Sequence, residues 1–340
     1  MTTAFVTGAA GFIGSHLVDL LLANGHRVVA VDNLATGRLA NLEQHRTDPR
    51  LTVAIADVAD HAAMTRLAQG CDWIFHFAAL ADIVPSVQRP LDYHHANVDG
   101  TASVLEAARA AGAKRFIYAA SSSCYGIPDV TPTPETAPAR PEYPYALTKW
   151  IGEQTALHWH RVYGLPVVSL RMFNVYGPRA RTNGTYGAVF GTFLAQKLAS
   201  KPFTVVGDGT QTRDFTWVED VAEAYLAAAQ SDVSGAVLNV GSGGTYAINE
   251  LVRLLGGEVV HIPKRPGEPD CTHADVRRIA TALGWQARTP FAEGVRRLVA
   301  GIEHWRHAPV WTPDSIAEAT RDWFTHLGRD SGSTAPASKP

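Results

Sequence analysis

Tyr145 and Lys149 stand four residues apart in Tyr145-Ala146-Leu147-Thr148-Lys149, so on a helix they share one face. A phenol with a pKa near 10 is a poor base, but a neighbouring ammonium favours its anion. A hydroxyl run, Ser121-Ser122-Ser123, follows the apolar segment Arg115–Ala119. At the carboxyl end of a parallel strand such hydroxyls point into the crevice where ligands bind. The set has the makings of proton transfer: Tyr145 moves the proton, Ser121 orients the reacting oxygen, and Lys149 tunes the phenol. The bland alternatives are a surface lysine on an exposed helix and an ordinary serine-rich loop.

A partner for that chemistry is written at the amino terminus. Thr7-Gly8-Ala9-Ala10-Gly11-Phe12-Ile13-Gly14 follows one apolar run and opens another, Leu17 to Leu22. The first glycine allows a tight turn, the second lets backbone approach a pyrophosphate, and the third lets helix and strand pack closely. The helix start adds unpaired N–H groups and a positive dipole end. Asp32 lies eighteen residues beyond Gly14. A carboxylate there accepts the adenosine ribose hydroxyls and repels a 2′-phosphate, which favours NAD over NADP. Asp57-Val58, after the third strand, is placed at the adenine edge. A strand-end aspartate capping a turn is the competing reading.

Composition narrows the remaining classes. In 340 residues there are 30 Lys and Arg against 32 Asp and Glu, a net charge of −2. That balance gives no global attraction to nucleic acid or to an anionic membrane. No run reaches the roughly 18 apolar residues of a membrane helix, and the amino terminus reads as a strand, not as a signal peptide. The 3 cysteines, Cys71, Cys124 and Cys271, are too scattered for a disulfide framework or a zinc site. The 14 histidines include no HExxH, so no metal site is expected. The expectation is a cytoplasmic protein.

These groups need a scaffold. Ala4–Thr7, Arg27–Val31, Leu51–Ile55, Trp73–Phe77, Arg115–Ala119 and Val167–Arg171 read as buried strands separated by helical patterns. The alternation predicts an α/β fold: a Rossmann-type, doubly wound parallel sheet covered on both faces. Residues 1–175 form its dinucleotide-binding domain. Residues 213–240, with a helix Trp217–Ala229 and a strand Val237–Val240, return to it. Residues 176–212 and 241–327 form a smaller C-terminal substrate-binding lobe, and 328–340 a loose tail. Thr312-Pro313 starts a last helix that ends near Leu327.

The chain resembles the extended short-chain dehydrogenases/reductases, specifically the nucleotide-sugar epimerase/dehydratase group. Thr7–Gly14, Asp32–Gly37, His76–Ala79, Asn97–Thr101, Ser121–Gly126, Tyr145–Lys149, Arg171–Pro178, Gly207–Phe215 and Arg265–Glu268 carry the resemblance, which runs to about residue 300. It implies an NAD that stays bound while a sugar is oxidised and re-reduced. The cofactor would be held by Gly8, Gly11, Phe12, Ile13, Gly14, Asp32, Asn33, Thr36, Gly37, Asp57, Val58, Phe77, Ala78, Ala79, Asn97, Tyr145 and Lys149. A UDP-sugar would meet Ser121, Ser122, Ser123, Tyr145, Asn174, Ala188, Val189, Thr204, Arg213, Arg265 and Thr272. Arginine suits a diphosphate because its planar fork matches phosphate oxygens. Relatives pair through two helices each, which implies a homodimer.

Within the group, relatives that dehydrate carry an Asp-Glu pair after the active hydroxyl, and those that decarboxylate UDP-glucuronate carry a glutamate. Ser122 and Ser123 stand there instead, and a hydroxyl does not serve as that acid or base near neutral pH. The resemblance therefore implies a C4 epimerase. A dehydratase, a UDP-glucuronate decarboxylase or epimerase, and an inactive NAD-binding sensor are the alternatives. Thr272 falls where some relatives carry a tyrosine that restricts the sugar 2-substituent. Its small size implies room for an N-acetyl group, and Asn183–Val189 resembles the loop of N-acetylhexosamine epimerases. The competing reading of Thr272 is a packing residue. Met172 stands where many relatives have an aromatic, Cys124 reads as a packing residue, and the aromatics of Glu303–Leu327 read as a packed cap.

Overall fold

The computed structural model describes residues 1–182 and 187–328. The first strands and helices alternate: β1 (Thr3–Thr7), α1 (Phe12–Ala23), β2 (Arg27–Asp32), β3 (Leu51–Ile55), α2 (His61–Leu67) and β4 (Trp73–His76). Next come α3 (Ile83–Gln88), α4 (Pro90–His94), α5 (Gly100–Ala110), β5 (Arg115–Ser121), α6 (Pro144–Tyr163) and β6 (Val167–Met172). The second part begins with β7 (Asn174–Tyr176), α7 (Val189–Leu198), β8 (Phe203–Val206), β9 (Thr212–Arg213), β10 (Phe215–Trp217), α8 (Val218–Gln230) and β11 (Ala236–Val240). It ends with β12 (Tyr246–Ala247), α9 (Ile248–Leu255), β13 (Val259–Ile262), β14 (Cys271–Thr272), α10 (Arg277–Leu283), α11 (Phe291–Ala300), α12 (Pro313–Ala319) and α13 (Arg321–Leu327).

Seven strands pair in parallel in the order β11-β6-β5-β4-β1-β2-β3. The chain builds outward from β1 to β3, then crosses back to lay β4 on the other side of β1. The direction of winding thus reverses between β1 and β4, and there a parallel sheet opens a crevice at its carboxyl edge. Apolar layers cover both faces. Leu17 and Leu21 of α1 join Val221 and Tyr225 of α8 on one face, and Val104 and Leu105 of α5 join Ala156 of α6 on the other. Each fully buried leucine of this kind contributes roughly 1.5–3 kcal/mol. At the β3 edge, Val53 and Ile55 stay exposed.

A second core lies under the smaller lobe, and it is aromatic. Tyr176 stacks on Phe190 at 4.7 Å, Phe215 on Phe291 at 5.3 Å, and Tyr246 on the same Phe291 ring at 4.2 Å. Small sheets, β12-β9-β14 and β13-β8, frame it. Thr312 caps α12 through a reciprocal hydrogen-bond pair with Ser315, and Pro313 takes the first helical position. The single helix expected to Leu327 is instead two, divided at buried Thr320. Its second piece, α13, docks on α3 of the first lobe.

Candidate active site

A cleft of about 690 Å³ runs along the carboxyl edge of the sheet and under the smaller lobe. Gly8, Gly11, Phe12, Ile13, Gly14, Asp32, Asn33, Thr36, Asp57, Val58, Phe77, Ala78 and Ala79 line one end. Gly8 has φ +67°, and a Cβ there would lie 2.8 Å from the Ala78 nitrogen; conformation and space both require glycine. At Gly14 a Cβ would meet the Gly8 carbonyl oxygen at 2.2 Å, which is the close helix–strand packing the motif implied. No side chain caps α1 at Gly11, so its first N–H groups face the cleft as an anion cradle. Asp32 accepts from the Ala10 and Leu34 nitrogens at 3.0 and 2.8 Å. Burial raises its pKa and those two bonds oppose the rise. The wall fits a dinucleotide: glycine backbone for the pyrophosphate and a carboxylate for the ribose.

Two residues expected on this wall stand behind it. Gly37 does not reach the cleft; a Cβ on it would fall 2.7 Å from both Asp32 carboxylate oxygens, so its role is to leave Asp32 room. Asn97 lies in a π-turn joining α4 to α5, a distortion that re-aims a helical side chain. Its amide grips Leu80 from both sides, with Leu80 N–H to Oδ1 at 2.8 Å and Nδ2–H to Leu80 O at 3.0 Å, and also reaches Thr148 Oγ1 at 3.0 Å. It positions the Phe77–Asp82 loop.

His76 completes that clamp. Thr101 donates its hydroxyl proton to Asn97 O at 2.6 Å, so toward His76 Nε2 at 3.0 Å it must accept. Nδ1 then accepts from Thr7 Oγ1 at 2.7 Å, and Thr7 accepts from the Ala78 N–H at 3.2 Å. The neutral tautomer is fixed by its neighbours. Burial, with Lys149 as a lesser cause, pushes the His76 pKa down to about 3.

Midway along the cleft, Tyr145, Lys149, Ser121, Ser122 and Ser123 converge. Pro144 opens α6 at its first turn, which fixes where Tyr145 enters. Ser121 faces the Tyr145 phenol and favours its ionised form, and its Oγ donates to Ser123 Oγ at 3.0 Å. Lys149 Nζ sits 4.5 Å over the Tyr118 ring. Burial, opposed by Glu153, brings its pKa down to about 7. Beneath it Glu153 and Arg171 form a buried pair at 2.6 Å, with Ser169 donating to the same carboxylate at 2.9 Å. The expected lowering of the phenol pKa is not what the protein produces by itself. Burial raises it, Ser121 works against the rise, and Asp82 and Cys124 add to it. Lys149 is not among the groups that offset the rise.

The far end brings Asn174, Ala188, Val189, Thr204, Arg213 and Arg265 to the wall. Arg265 pairs with Glu268 at 3.0 Å. Burial lowers the Arg213 pKa and Glu268 opposes this, so one carboxylate acts on both guanidiniums. Thr272 does not reach the wall. The parallel pairing of β14 with β9 tucks it behind Asn174, to whose Oδ1 it donates at 2.8 Å. Met172 is on the wall. Cys124 packs with Tyr125 and Phe173, and burial pushes its thiol up to about 12. Asn183, Gly184, Thr185 and Tyr186 lie outside the described residues.

Sequence reasoning missed Arg38, Asp82, Arg181 and Trp323, all of which line the cleft. Arg181 pairs with Asp82 at 2.6 Å and Arg38 donates to Thr182 Oγ1 at 2.9 Å, each tying the first lobe to the 179–182 segment. Arg38 directly follows the Asp32–Gly37 run, which was a usable signal. The Asp82–Arg181 pair joins positions 99 apart, and nothing local marks it.

Comparison with known proteins agrees with this geometry. The family described as "NAD dependent epimerase/dehydratase family" matches residues 4–241. A UDP-glucose 4-epimerase of Mycolicibacterium smegmatis is 37% identical over 303 residues, 86% of this chain and 96% of that one. The UDP-N-acetylglucosamine 4-epimerase of Methanobrevibacter ruminantium, solved with UDP-N-acetylmuramic acid, superposes with TM-score 0.84 at 33% identity, covering 89% of this chain and 97% of its own. The UDP-glucuronic acid 4-epimerase of Bacillus cereus, solved with UDP-glucuronic acid and NAD, gives 0.83 at 31%, covering 88% and 99%. With a dinucleotide wall, a Ser–Tyr–Lys centre and a match over most of its length, the chain belongs to the NAD-dependent epimerase/dehydratase family.

Proposed function

We propose that the protein catalyses reversible C4 epimerisation of a UDP-hexose or UDP-N-acetylhexosamine through a transient 4-keto sugar. The observation that carries this reading is the centre of the cleft, where Tyr145 meets Ser121 and the next two positions are the hydroxyls Ser122 and Ser123. Elimination across C5 and C6 asks for an acid and a base beside the active hydroxyl; exchange at C4 asks for one proton carrier.

Bound NAD supplies an acceptor and donor for the C4 hydride, and its oxidised ring brings positive charge to the site. Tyr145 takes the proton from the 4-hydroxyl and returns it after the sugar has turned over. Ser121 orients the reacting oxygen, and Lys149 sets the proton affinity of the phenol. Arg213 and Arg265 hold the diphosphate while the sugar rotates, with Asn174 between them and the centre. Gly8–Gly14, Asp32, Asn33 and Asp57 hold the dinucleotide. The protein works in the cytoplasm as a homodimer. Free cysteines support the first statement; Leu91 of α4 and Leu147 of α6, both exposed apolar side chains on neighbouring helices, support the second.

The test is product identity. Purified protein is incubated with UDP-, dTDP-, GDP- and CDP-sugars, including UDP-glucose, UDP-galactose and their N-acetylamino counterparts, and the sugars are separated. An epimer of a UDP-sugar is expected; a 4-keto-6-deoxy sugar, a pentose or no product would each overturn the reading. Tyr145→Phe should lower kcat by about a thousandfold with the fold and bound NAD retained. Near-normal turnover would remove Tyr145 from its role.

A further inference from the structure

The aromatics of the last helices are more than a cap, because one of them reaches the cleft. Trp323 of α13 is 3% exposed and lines the cavity beside Arg265 and Glu268. Its indole N–H donates to the Pro266 carbonyl at 2.8 Å, so the loop carrying Arg265 is pinned at the next residue. The Arg265 guanidinium lies over the indole face, 5.4 Å from its centroid. On another side the indole contacts Tyr143 at 6.4 Å, and Tyr143 stacks parallel on Tyr145 at the same spacing. Helix α13 is itself anchored to the first lobe, where Gln88 donates to Asp322 at 2.8 Å. One side chain therefore ties the diphosphate end, the tyrosine wall and the sheet-bearing lobe together.

We infer that Trp323 is a positioning residue: it orients Arg265 toward the substrate diphosphate, so that the C-terminal helices act on nucleotide binding without touching the reacting atoms. The inference rests on the assignment of Arg265 to the diphosphate. A guanidinium clamped between Glu268 and an indole face has few rotamers left to lose on binding, and that preorganisation appears as affinity. Without the indole, Arg265 keeps its charge and its glutamate but not its direction.

The probe is UDP, titrated calorimetrically into full-length, NAD-loaded protein, with kcat and KM measured in parallel. Arg265→Ala should weaken UDP binding by tenfold or more. Trp323→Ala should weaken it by about tenfold while kcat at saturation changes less than about twofold. Trp323→Phe keeps a ring face and loses only the bond to Pro266, and should lose about threefold; it also serves if the alanine variant does not fold. The double variant Trp323→Ala/Arg265→Ala should bind UDP as Arg265→Ala does, because the indole acts through the guanidinium. If Arg265→Ala binds UDP normally, the diphosphate assignment is wrong. If Arg265→Ala is weak but the Trp323 variants bind normally, or the two losses multiply in the double variant, Trp323 serves only packing and the inference is overturned.

Discussion

The two ends of the cleft are built by different means. The dinucleotide end is mostly main chain: glycine backbone, the start of α1 and a carboxylate braced by two N–H groups, drawn largely from the first sixty residues. The other end, which the proposed function assigns to the nucleotide sugar, is mostly side chain, with Asn174, Thr204, Arg213, Arg265 and Trp323 delivered to the wall from separate elements over 150 residues. Backbone sites demand exact space and tolerate almost no added atom. Side-chain sites depend on supports behind the wall, and lose function by degrees when a support is removed. Substitutions at the two ends should therefore fail differently.

Gly14→Ala should have the largest effect. The new Cβ would sit 2.2 Å from the Gly8 carbonyl oxygen, 2.9 Å from its carbon and 3.1 Å from the Ala9 Cα, all backbone atoms that cannot swing aside as a side chain could. A loss of about 3 kcal/mol of stability is expected, along with loss of co-purifying NAD, read by denaturant melting and by absorbance of released cofactor. If Gly14→Ala melts like the parent and keeps its NAD, the main-chain end is more compliant than its geometry states.

The same contrast decides what could be read from the sequence. The glycine run, Asp32 and the Tyr145–Lys149 spacing are local, and the structure places all of them on the wall. The strand pattern was legible because β1, β4, β5 and β6 are covered on both faces and therefore almost wholly apolar. Asn97 and Thr272 were misplaced for physical reasons: a π-turn re-aims the first, and the register of β14 on β9 sets the second one layer back. Asp82 and Trp323 were invisible because their meaning depends on contacts across 99 and 57 positions, with Arg181 and Pro266. Even the phenol was only half legible. Spacing revealed the lysine, but burial of both groups, which spacing does not report, reverses the expected shift.

The His76 clamp sharpens the comparison because it supports the floor under the cofactor end. Its imidazole is neutral in the fold, with a pKa near 3 against an ordinary 6.5. Below pH 6.5 the unfolded chain takes up a proton there that the folded chain refuses. Stability is therefore lost as pH falls from about 6.5 toward 3, and is fully present above that window. Melting temperature measured across this range should decline, and His76→Phe, less stable at every pH, should decline less steeply. Equal slopes would mean that acid acts elsewhere.

The smallest effect should come from Thr272→Val at the sugar end, and it separates two roles for that position. The substitution removes the hydrogen bond donated to Asn174 Oδ1, with a longer one accepted from the Asp214 N–H at 3.4 Å, and almost no volume. The loss is about 1 kcal/mol, read as a roughly fivefold rise in KM with kcat little changed. Because Thr272 stands behind Asn174, the rise should be the same for UDP-glucose and for UDP-N-acetylglucosamine. A residue gating the 2-substituent would instead leave KM untouched on this isosteric change, and a bulkier Thr272→Tyr would exclude only the N-acetylated sugar. Were Thr272→Tyr to discriminate in that way while Thr272→Val stayed neutral, position 272 would border the sugar directly, and this end of the cleft would be as intolerant of added atoms as the glycine wall.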